Sequence, residues 1–486
     1  MKPKVIIRAY HTHYKIIGYE LGMFYKLEYD LSTKDPITFK QTHYYKYDKE
    51  NKILYIPRGY NEKILEDWFK VPITYVSECN PITKVTFNVE CEPRDNFQRE
   101  VIRFLSGKEE YAPLFKSPQM VLNIPTRSGK TYCAVATSSI LQCRTLVVTH
   151  RKTLRDQWAD DIVKYTQLTK DNIFIIDGSK GLEKLLTMKK RELNRKYIFL
   201  VIHRTLQNAI TEKGPDYLND VFVKVGIGIK IIDEAHKEFT STLALDYATD
   251  VWKTFYLTAT FALSDPQRNA VFQKSFNRVV KLSKANPNSR KHVNVIFILF
   301  QTHPTPDDID FIFTRRGFNA HNYISYELEH DELEHQILRF LNMATQKILE
   351  GRLLVASSTI ASIEHFSNVL SNHFPKRTTC AYYEGNKDEH FREYDNICAT
   401  VQMLGTGITM PGLQMLINTE PTRSTPNSEQ LAGRMAEYAP DKDTYFVEFI
   451  DKSIPKMEEW YKRRRRTFSK LPTTKSINVI DTTIIR

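Results

Sequence analysis

The chain reads as an α/β protein: two tandem lobes, each a parallel β-sheet wound with helices, preceded by a small α+β module. Three observations predict this. From residue 93 onward, short continuous Val/Ile/Leu runs alternate with helix-like segments, the pattern of strands buried on both faces. A Pro- and Asn-containing stretch, "SKANPNSRKH" (283–292), separates two such series. Before residue 93 the texture differs, with apolar and polar positions alternating in short runs. A length of 486 residues leaves room for roughly three domains of about 150 residues.

The elements follow in order. In residues 1–92, "KVIIRAYHTHY", "FYKLEYDL" and "ILYIPRGY" read as strands and "NEKILEDWFK" as a helix. The tyrosines and lysines of "THYYKYDKE" either stack bases and hold phosphates or pack a sheet. The first lobe, 93–283, carries "MVLNIP", "RTLVVTH", "NIFIID", "YIFLVIH", "IKIIDE" and "TFYLTAT" as strands. The second, 284–455, carries "VNVIFILF", "RLLVASS", "TTCAYY", "NICATV", "QMLINTE" and "TYFVEFI". Residues 456–486 read as a basic tail, whose "YKRRRRTFSK" either grips phosphates or forms a solvated helix face.

Composition narrows the function classes. An apolar content of 41% excludes a wholly disordered or fibrous chain, and a net charge of +12 favours an anionic partner. The six cysteines (Cys79, Cys91, Cys133, Cys143, Cys380, Cys398) show no Cys-x-x-Cys pair, so neither zinc nor a disulfide framework is indicated. No apolar run approaches the ~18 residues of a membrane span. The expectation is a soluble, cytoplasmic protein.

Two stretches carry the chemistry. "IPTRSGKT" (124–131) lies between a strand and a helix, as a phosphate-binding loop does, although it has one glycine where the full pattern has two. Backbone N–H groups at the helix start would meet phosphates, Lys130 would neutralise their charge, and Thr131 would ligate Mg²⁺. Gly-Lys-Thr alone is a common tripeptide. "IKIIDEAH" (229–236) ends an apolar strand in two carboxylates: Asp233 suits a metal-bound water and Glu234 the activation of an attacking water. The plain structural alternative is a helix start capped by Asp233. The two together point to a nucleoside triphosphatase.

Asp233-Glu234-Ala235-His236 resembles the DEAH box of superfamily 2 helicases, and further segments resemble that family's motifs in order through residues 93–450. The resemblance implies two RecA-like lobes, ATP and Mg²⁺ as cofactors, and a nucleic-acid partner. It implies Gln98 of "PRDNFQ" as the adenine reader, and Pro125, Thr126, Arg127, Ser128, Gly129, Lys130 and Thr131 as the nucleotide loop. "VVTHRKTLRDQW" resembles motif Ia, with His150 and Arg151 near the strand. "LTAT" resembles motif III, with Thr258 and Thr260, alongside His236, coupling hydrolysis to strand contacts. Ser358 falls in a motif IV-like segment, and Thr406 and Gly407 in the motif V-like "LGTGITMPGL".

"QLAGRMAE" resembles motif VI and implies that Gln430 and Arg434 complete the catalytic set formed with Lys130, Asp233 and Glu234. It departs from the family at Glu437, where arginine is usual, while motif V has Ile408 in place of a common Asp. Arg127 and Arg423 are the nearby cations that could offset the missing arginine. Length, N-terminal module and loop make the chain most similar to phage recombination helicases of the UvsW type. The implied function is a monomeric, ATP-dependent DNA helicase or translocase that unwinds or branch-migrates DNA in phage recombination, repair or replication, acting in the host cytoplasm. The alternatives are an RNA helicase, or an ATP-gated nucleic-acid clamp with little turnover.

Overall fold

The apolar runs do become sheet cores. The computed structural model describes residues 5–35, 38–125, 128–263, 265–284, 291–315, 317–345, 349–386, 388, 390–404, 410, 412–420, 431–432, 435, 442–471 and 473–483. They fall into two units, Met1–Asn286 and Pro287–Arg486.

The first unit holds a seven-stranded sheet. Its strands in chain order are Gln119–Asn123, Thr145–Thr149, Ile173–Ile176, Ile198–Ile202, Ile229–Asp233, Lys253–Thr258 and Val280–Ser283. The second holds another: Val293–Phe300, Arg352–Ser357, Thr379–Tyr382, Asn396–Thr400, Leu413–Asn418, Thr444–Asp451 and Thr474–Asp481. Numbered in chain order within each unit, both sheets run 3-4-2-5-6-1-7 across, and their neighbouring strands are parallel. The topology is thus repeated in tandem. Strands such as Ile229–Asp233 and Lys253–Thr258 are buried along their whole length, which is why they read as unbroken apolar runs rather than alternating ones.

The N-terminal module is a five-stranded sheet in the order Lys46–Asp48, Ile53–Pro57, His13–Ile17, Ile6–Ala9, Ile73–Tyr75. "FYKLEYDL" is not a strand. It holds the helix Tyr25–Asp30, because Phe24, Leu27 and Leu31 recur at helical spacing and give one inward face. The helix expected in 61–70 is present as Glu62–Phe69, with the Asn61 side chain accepting the Lys63 N–H at its start.

The module shares a hydrophobic cluster with one face of the first lobe's sheet. Tyr44 stacks on Phe239 at 5.1 Å, and the Tyr247 hydroxyl donates to the Tyr44 carbonyl at 2.6 Å. Gln119 Nε2 donates to the Thr12 carbonyl at 3.0 Å, and Thr12 Oγ1 to the Thr249 carbonyl at 2.6 Å. Of the tyrosines in "THYYKYDKE", Tyr44 is buried in the core, and Tyr45 and Tyr47 are half-buried against it.

Residues set apart by sequence as a basic tail are built into the second unit. The helix Pro455–Phe468 packs on its sheet, and Thr474–Asp481 adds a strand beside Val293–Phe300. The four arginines divide. Arg464 is buried and pairs with Glu448 at 2.7 Å, while the exposed Arg463 pairs with Glu459 at 3.1 Å. Among the described residues no helix is long and apolar enough to cross a membrane, and the six cysteines are free thiols.

Candidate nucleotide site and its coupling network

In a parallel sheet, ligands collect at the carboxyl ends of the strands. Here the ends of the first, sixth, fifth, second and fourth strands carry, side by side, the loop after Asn123, Thr258, Asp233, His150 and His203.

The loop closes on the helix Lys130–Leu141 through Gly129, whose φ of +83° lies in the left-handed region. A Cβ there would sit 2.2 Å from Gln98 Nε2, so the one glycine retained is the one the backbone and its neighbour both require. Lys130 Nζ donates back to the carbonyls of Ile124 (3.2 Å) and Pro125 (3.4 Å), which holds its cation at the mouth of the loop. Thr131 follows in the first helical turn, and Ser128 is buried. Thr126 and Arg127 lie outside the described residues.

Gln98 is placed on the helix Asn96–Ser106 by the Asp95 cap, which accepts the Gln98 N–H at 2.8 Å. Its side-chain oxygen accepts the Arg94 N–H at 2.8 Å, and its nitrogen donates to the Ser128 carbonyl at 3.3 Å. Gln98 therefore braces the phosphate loop directly, a role its expected part in reading adenine did not include.

Asp233 is the last residue of a buried strand. Its Oδ2 accepts the Trp158 indole N–H at 2.8 Å and its Oδ1 the Glu234 N–H at 3.0 Å. Burial, then the adjacent Glu234 charge, raise the Asp233 carboxyl well above the usual carboxylate range, against the pull of Trp158 and Lys130. The segment is not a capped helix start. Glu234 adopts φ +51°, the chain turns, and the next helix begins only at Phe239. A non-glycine residue in the left-handed region is a strained position of the kind that concentrates at functional sites.

His236, Thr258 and Thr260 form one connected network. Thr258 Oγ1 donates to the Thr260 carbonyl at 2.7 Å and accepts the Thr260 N–H at 3.0 Å. With its own proton so used, Thr258 Oγ1 must accept from His236 Nδ1, 2.9 Å away, which assigns the proton of that imidazole to Nδ1. The same nitrogen lies 3.4 Å from Glu234 Oε2. Burial keeps His236 neutral by lowering its pKa to about 4. The backbone completes the link, since the Ile124 N–H donates to the Thr258 carbonyl at 3.2 Å and the Ala235 N–H to the Leu257 carbonyl at 3.2 Å. The loop, the DEAH segment and the LTAT segment are thus joined in one hydrogen-bonded network.

His150 is half-buried, with neither ring nitrogen hydrogen-bonded, and burial followed by the Lys237 charge lowers its pKa to about 3. Arg151 precedes the helix Lys152–Tyr165. In the second unit Ser358 follows the strand Arg352–Ser357, its buried hydroxyl without a hydrogen-bond partner, just before the helix capped by Thr359. Thr406, Gly407, Gln430 and Arg434, with Ile408, Arg423 and Glu437, lie outside the described residues.

Sequence reasoning missed Trp158. Leu154, Trp158 and Ile162 form an i, i+4, i+8 stripe, the pattern of an ordinary core face. The available signal was its N–H, which needs an acceptor when the ring is fully buried.

Residues 90–263 match the family described as type III restriction enzyme, res subunit. The chain is similar to the transcript termination protein A18 of Yaba-like disease virus, at 22% identity over 433 residues, 82% of this chain and 85% of that one. A fragment assigned to an HsdR subunit of a type I restriction enzyme from Vibrio vulnificus YJ016 shares the fold over 79% of this chain and 68% of its own, at 13% identity and TM-score 0.51. The crystal structure of T4 UvsW aligns over 98% of this chain and 99% of its own, at 13% identity and a TM-score of 0.38. Motif order, two RecA-like sheets and the matched first lobe make the chain similar to superfamily 2 helicases. It is an ATP-dependent enzyme of the nucleic-acid motor class.

Proposed function

We propose that this motor acts on DNA, as a translocase or helicase that remodels branched or single-stranded substrates in phage recombination, repair or replication. In this reading it works as a monomer in the cytoplasm of the infected cell. The observation that carries the reading is the continuous contact path from Lys130 and its loop through Thr258 to His236 and Glu234. Such a path serves a motor, in which phosphate chemistry must reach strand-gripping segments, better than it serves a static binder.

Lys130 and the loop N–H groups would bind the β- and γ-phosphates, and Glu234 would orient and deprotonate the attacking water. Thr131 and Asp233 fit a Mg²⁺ site: Asp233 pairs each oxygen with a single N–H and so keeps lone pairs on both, and burial beside the Glu234 charge raises its pKa, an effect that a bound cation would offset. When bound, the ion would neutralise charge on the phosphates. Gln430 and Arg434 would complete the catalytic set. Because strand contacts from His150, Arg151, Ser358 and Thr406 would be mostly to phosphates, affinity should fall with salt and sequence preference should be slight. The N-terminal module would act as an accessory binding domain.

The name of the A18 relative, transcript termination, favours a second reading in which the track is a transcript or a transcription complex. Steady-state ATPase measured with single-stranded DNA, forked DNA and RNA separates the two. Strongest stimulation by forked DNA is expected, and stimulation by RNA alone would reassign the substrate. Only single-turnover phosphate release on every substrate would leave an ATP-gated clamp. Lys130→Ala should abolish turnover and retain nucleic-acid binding; undiminished turnover would remove the nucleotide assignment.

A further inference from the structure

The carboxyl edge of the first sheet carries the nucleotide residues; its amino edge meets the N-terminal module along an open groove. Gln119 and Lys253 begin the first and sixth strands, and Arg278 and Val279 lie just before the seventh. Across from them stand the module's helix Glu62–Phe69 and its edge strand Ile73–Tyr75. The cavity between them measures about 690 Å³, within the roughly 300–1,000 Å³ of ligand-sized sites. A second hollow of about 170 Å³ shares Arg58, Tyr75, Lys116 and Pro118 with it and extends the groove to Trp252 and Lys253. Since a strand rises about 3.3 Å per residue, the strand Gln119–Asn123 sets the groove on the order of 13 Å from the phosphate loop.

The fold does not neutralise the cations of this groove. Lys63, Lys116 and Arg278 come from three separate segments, are exposed, and make no ion pair among the described residues. Arg278 Nη2 donates to the neutral Asn61 Oδ1 at 3.3 Å. Glu62 does not offset them, because its oxygens accept from Tyr14, Arg58 and Tyr75. The smaller hollow adds Lys253 and no carboxylate. Lys253 also builds the site: its buried Nζ donates to the carbonyls of Phe115 and Ser117, on either side of Lys116, and so fixes the turn that carries that lysine. Tyr75 supplies a ring that is 60% exposed, with its hydroxyl donating to Glu62 Oε2 at 2.9 Å and the Arg58 guanidinium 5.6 Å from its centroid. A tyrosine already held at its hydroxyl stacks on a base with little further loss of freedom. One exposed lysine is ordinary surface, but like charges gathered on one groove repel, so stability does not account for three of them beside a fixed ring.

We propose that this groove binds a single-stranded nucleic-acid segment, with its phosphates on Lys63, Lys116 and Arg278 and a base on Tyr75. Cations beside an aromatic platform are the chemistry of sequence-tolerant single-strand binding. An acidic peptide would use the charges and leave the ring without a role. The site stands apart from the strand contacts expected of His150 and Arg151, which lie at the carboxyl edge of the same sheet. A second grip there would keep the substrate attached while contacts near the nucleotide cycle. It would give the N-terminal module the accessory role proposed above; it rests on the nucleic-acid motor reading and suits DNA or RNA.

The test is fluorescence anisotropy of the full chain with labelled oligodeoxythymidine and oligouridine over a range of salt concentrations. Each phosphate contact on a single strand contributes about 0.7 to the log–log salt slope, so the triple variant Lys63→Ala, Lys116→Ala, Arg278→Ala should flatten it by about 2 and bind about 10-fold or more weakly at about 100 mM salt. Tyr75→Ala should weaken binding about 5-fold or more without changing the slope, and Tyr75→Phe should bind like the parent. A strand carrying 4-thiothymidine should photocrosslink to the peptide that contains Tyr75. Urea unfolding checks each variant; if the triple variant folds poorly, Lys116→Ala alone should still flatten the slope by about 0.7. An unchanged slope while the parent binds, or crosslinks that avoid the Tyr75 peptide, would overturn the groove alone. Loss of oligoglutamate binding in a variant with unchanged slope would reassign the groove to an acidic protein segment. A parent chain that binds neither strand would overturn the motor reading with it.

Discussion

Trp158→Phe isolates the part of the DEAH site that is hidden in the core. The substitution keeps an aromatic ring in a position only 1% exposed and removes the N–H that reaches Asp233 Oδ2 at 2.8 Å. A hydrogen bond to a charged partner contributes about 1.5–3 kcal/mol. Since one pH unit corresponds to about 1.4 kcal/mol, losing that bond should lift the Asp233 pKa by about 1–2, beyond the rise that burial and Glu234 already cause. Ionised Asp233 is the form that would hold Mg²⁺. At neutral pH the Mg²⁺ concentration for half-maximal ATPase should therefore rise about 2- to 10-fold, with the acid limb of kcat/KM moving up by about 1–2 pH units and activity returning near pH 8.5. The assay is ATPase against Mg²⁺ at several pH values, with denaturant unfolding in parallel. A fall in stability with unchanged Mg²⁺ requirement and unchanged acid limb would make Trp158 a packing residue alone and refute the argument.

Three further outcomes are expected. Thr258→Val keeps the side-chain shape and deletes the hydroxyl that joins His236 to Thr260, so basal ATPase should persist while its stimulation by nucleic acid falls about 10-fold or more, read in the same assay. His13 donates from Nδ1 to the Asp246 carbonyl at 2.9 Å and buries Nε2 without a partner; burial, then Lys15, lower its pKa to about 3. Its neutral form is favoured in the fold, so its contribution is complete above pH 6.5 and is lost as pH falls toward 3, amounting to about 2 kcal/mol at pH 5; His13→Asn should shrink the pH 7.5-to-5 loss of urea stability by that amount. Arg464→Met should cost about 3–5 kcal/mol by leaving Glu448 buried without its cation, and adding Glu448→Met should recover most of it, as thermal unfolding would show.

Much of the fold was legible because buried parallel strands cannot hide. Ile229–Asp233 and Lys253–Thr258 touch core on both faces, and their composition says so locally. The misread elements are those whose environment is tertiary. Phe24–Leu31 carries β-favouring Tyr and Phe, yet its Leu27 and Leu31 meet the core only when wound as a helix. The last strand, Thr474–Asp481, is a half-exposed edge strand without a continuous apolar run, so it was taken for tail. Arg464 sat unnoticed within four identical arginines because burial of one helix face is invisible in a charge run.

The sequence by itself determined the chemistry: Lys130, Thr131, Asp233 and Glu234 have reactive groups whose use depends on residue type and on a strand end or helix start nearby, both local properties. Tertiary structure alone decided how those groups are held and joined. Trp158 meets Asp233 across 75 residues, His236 meets Thr258 across 22, and Gln98 meets the Ser128 carbonyl across 30. Hydrogen bonds act over about 3 Å in space and carry no mark of the separation along the chain.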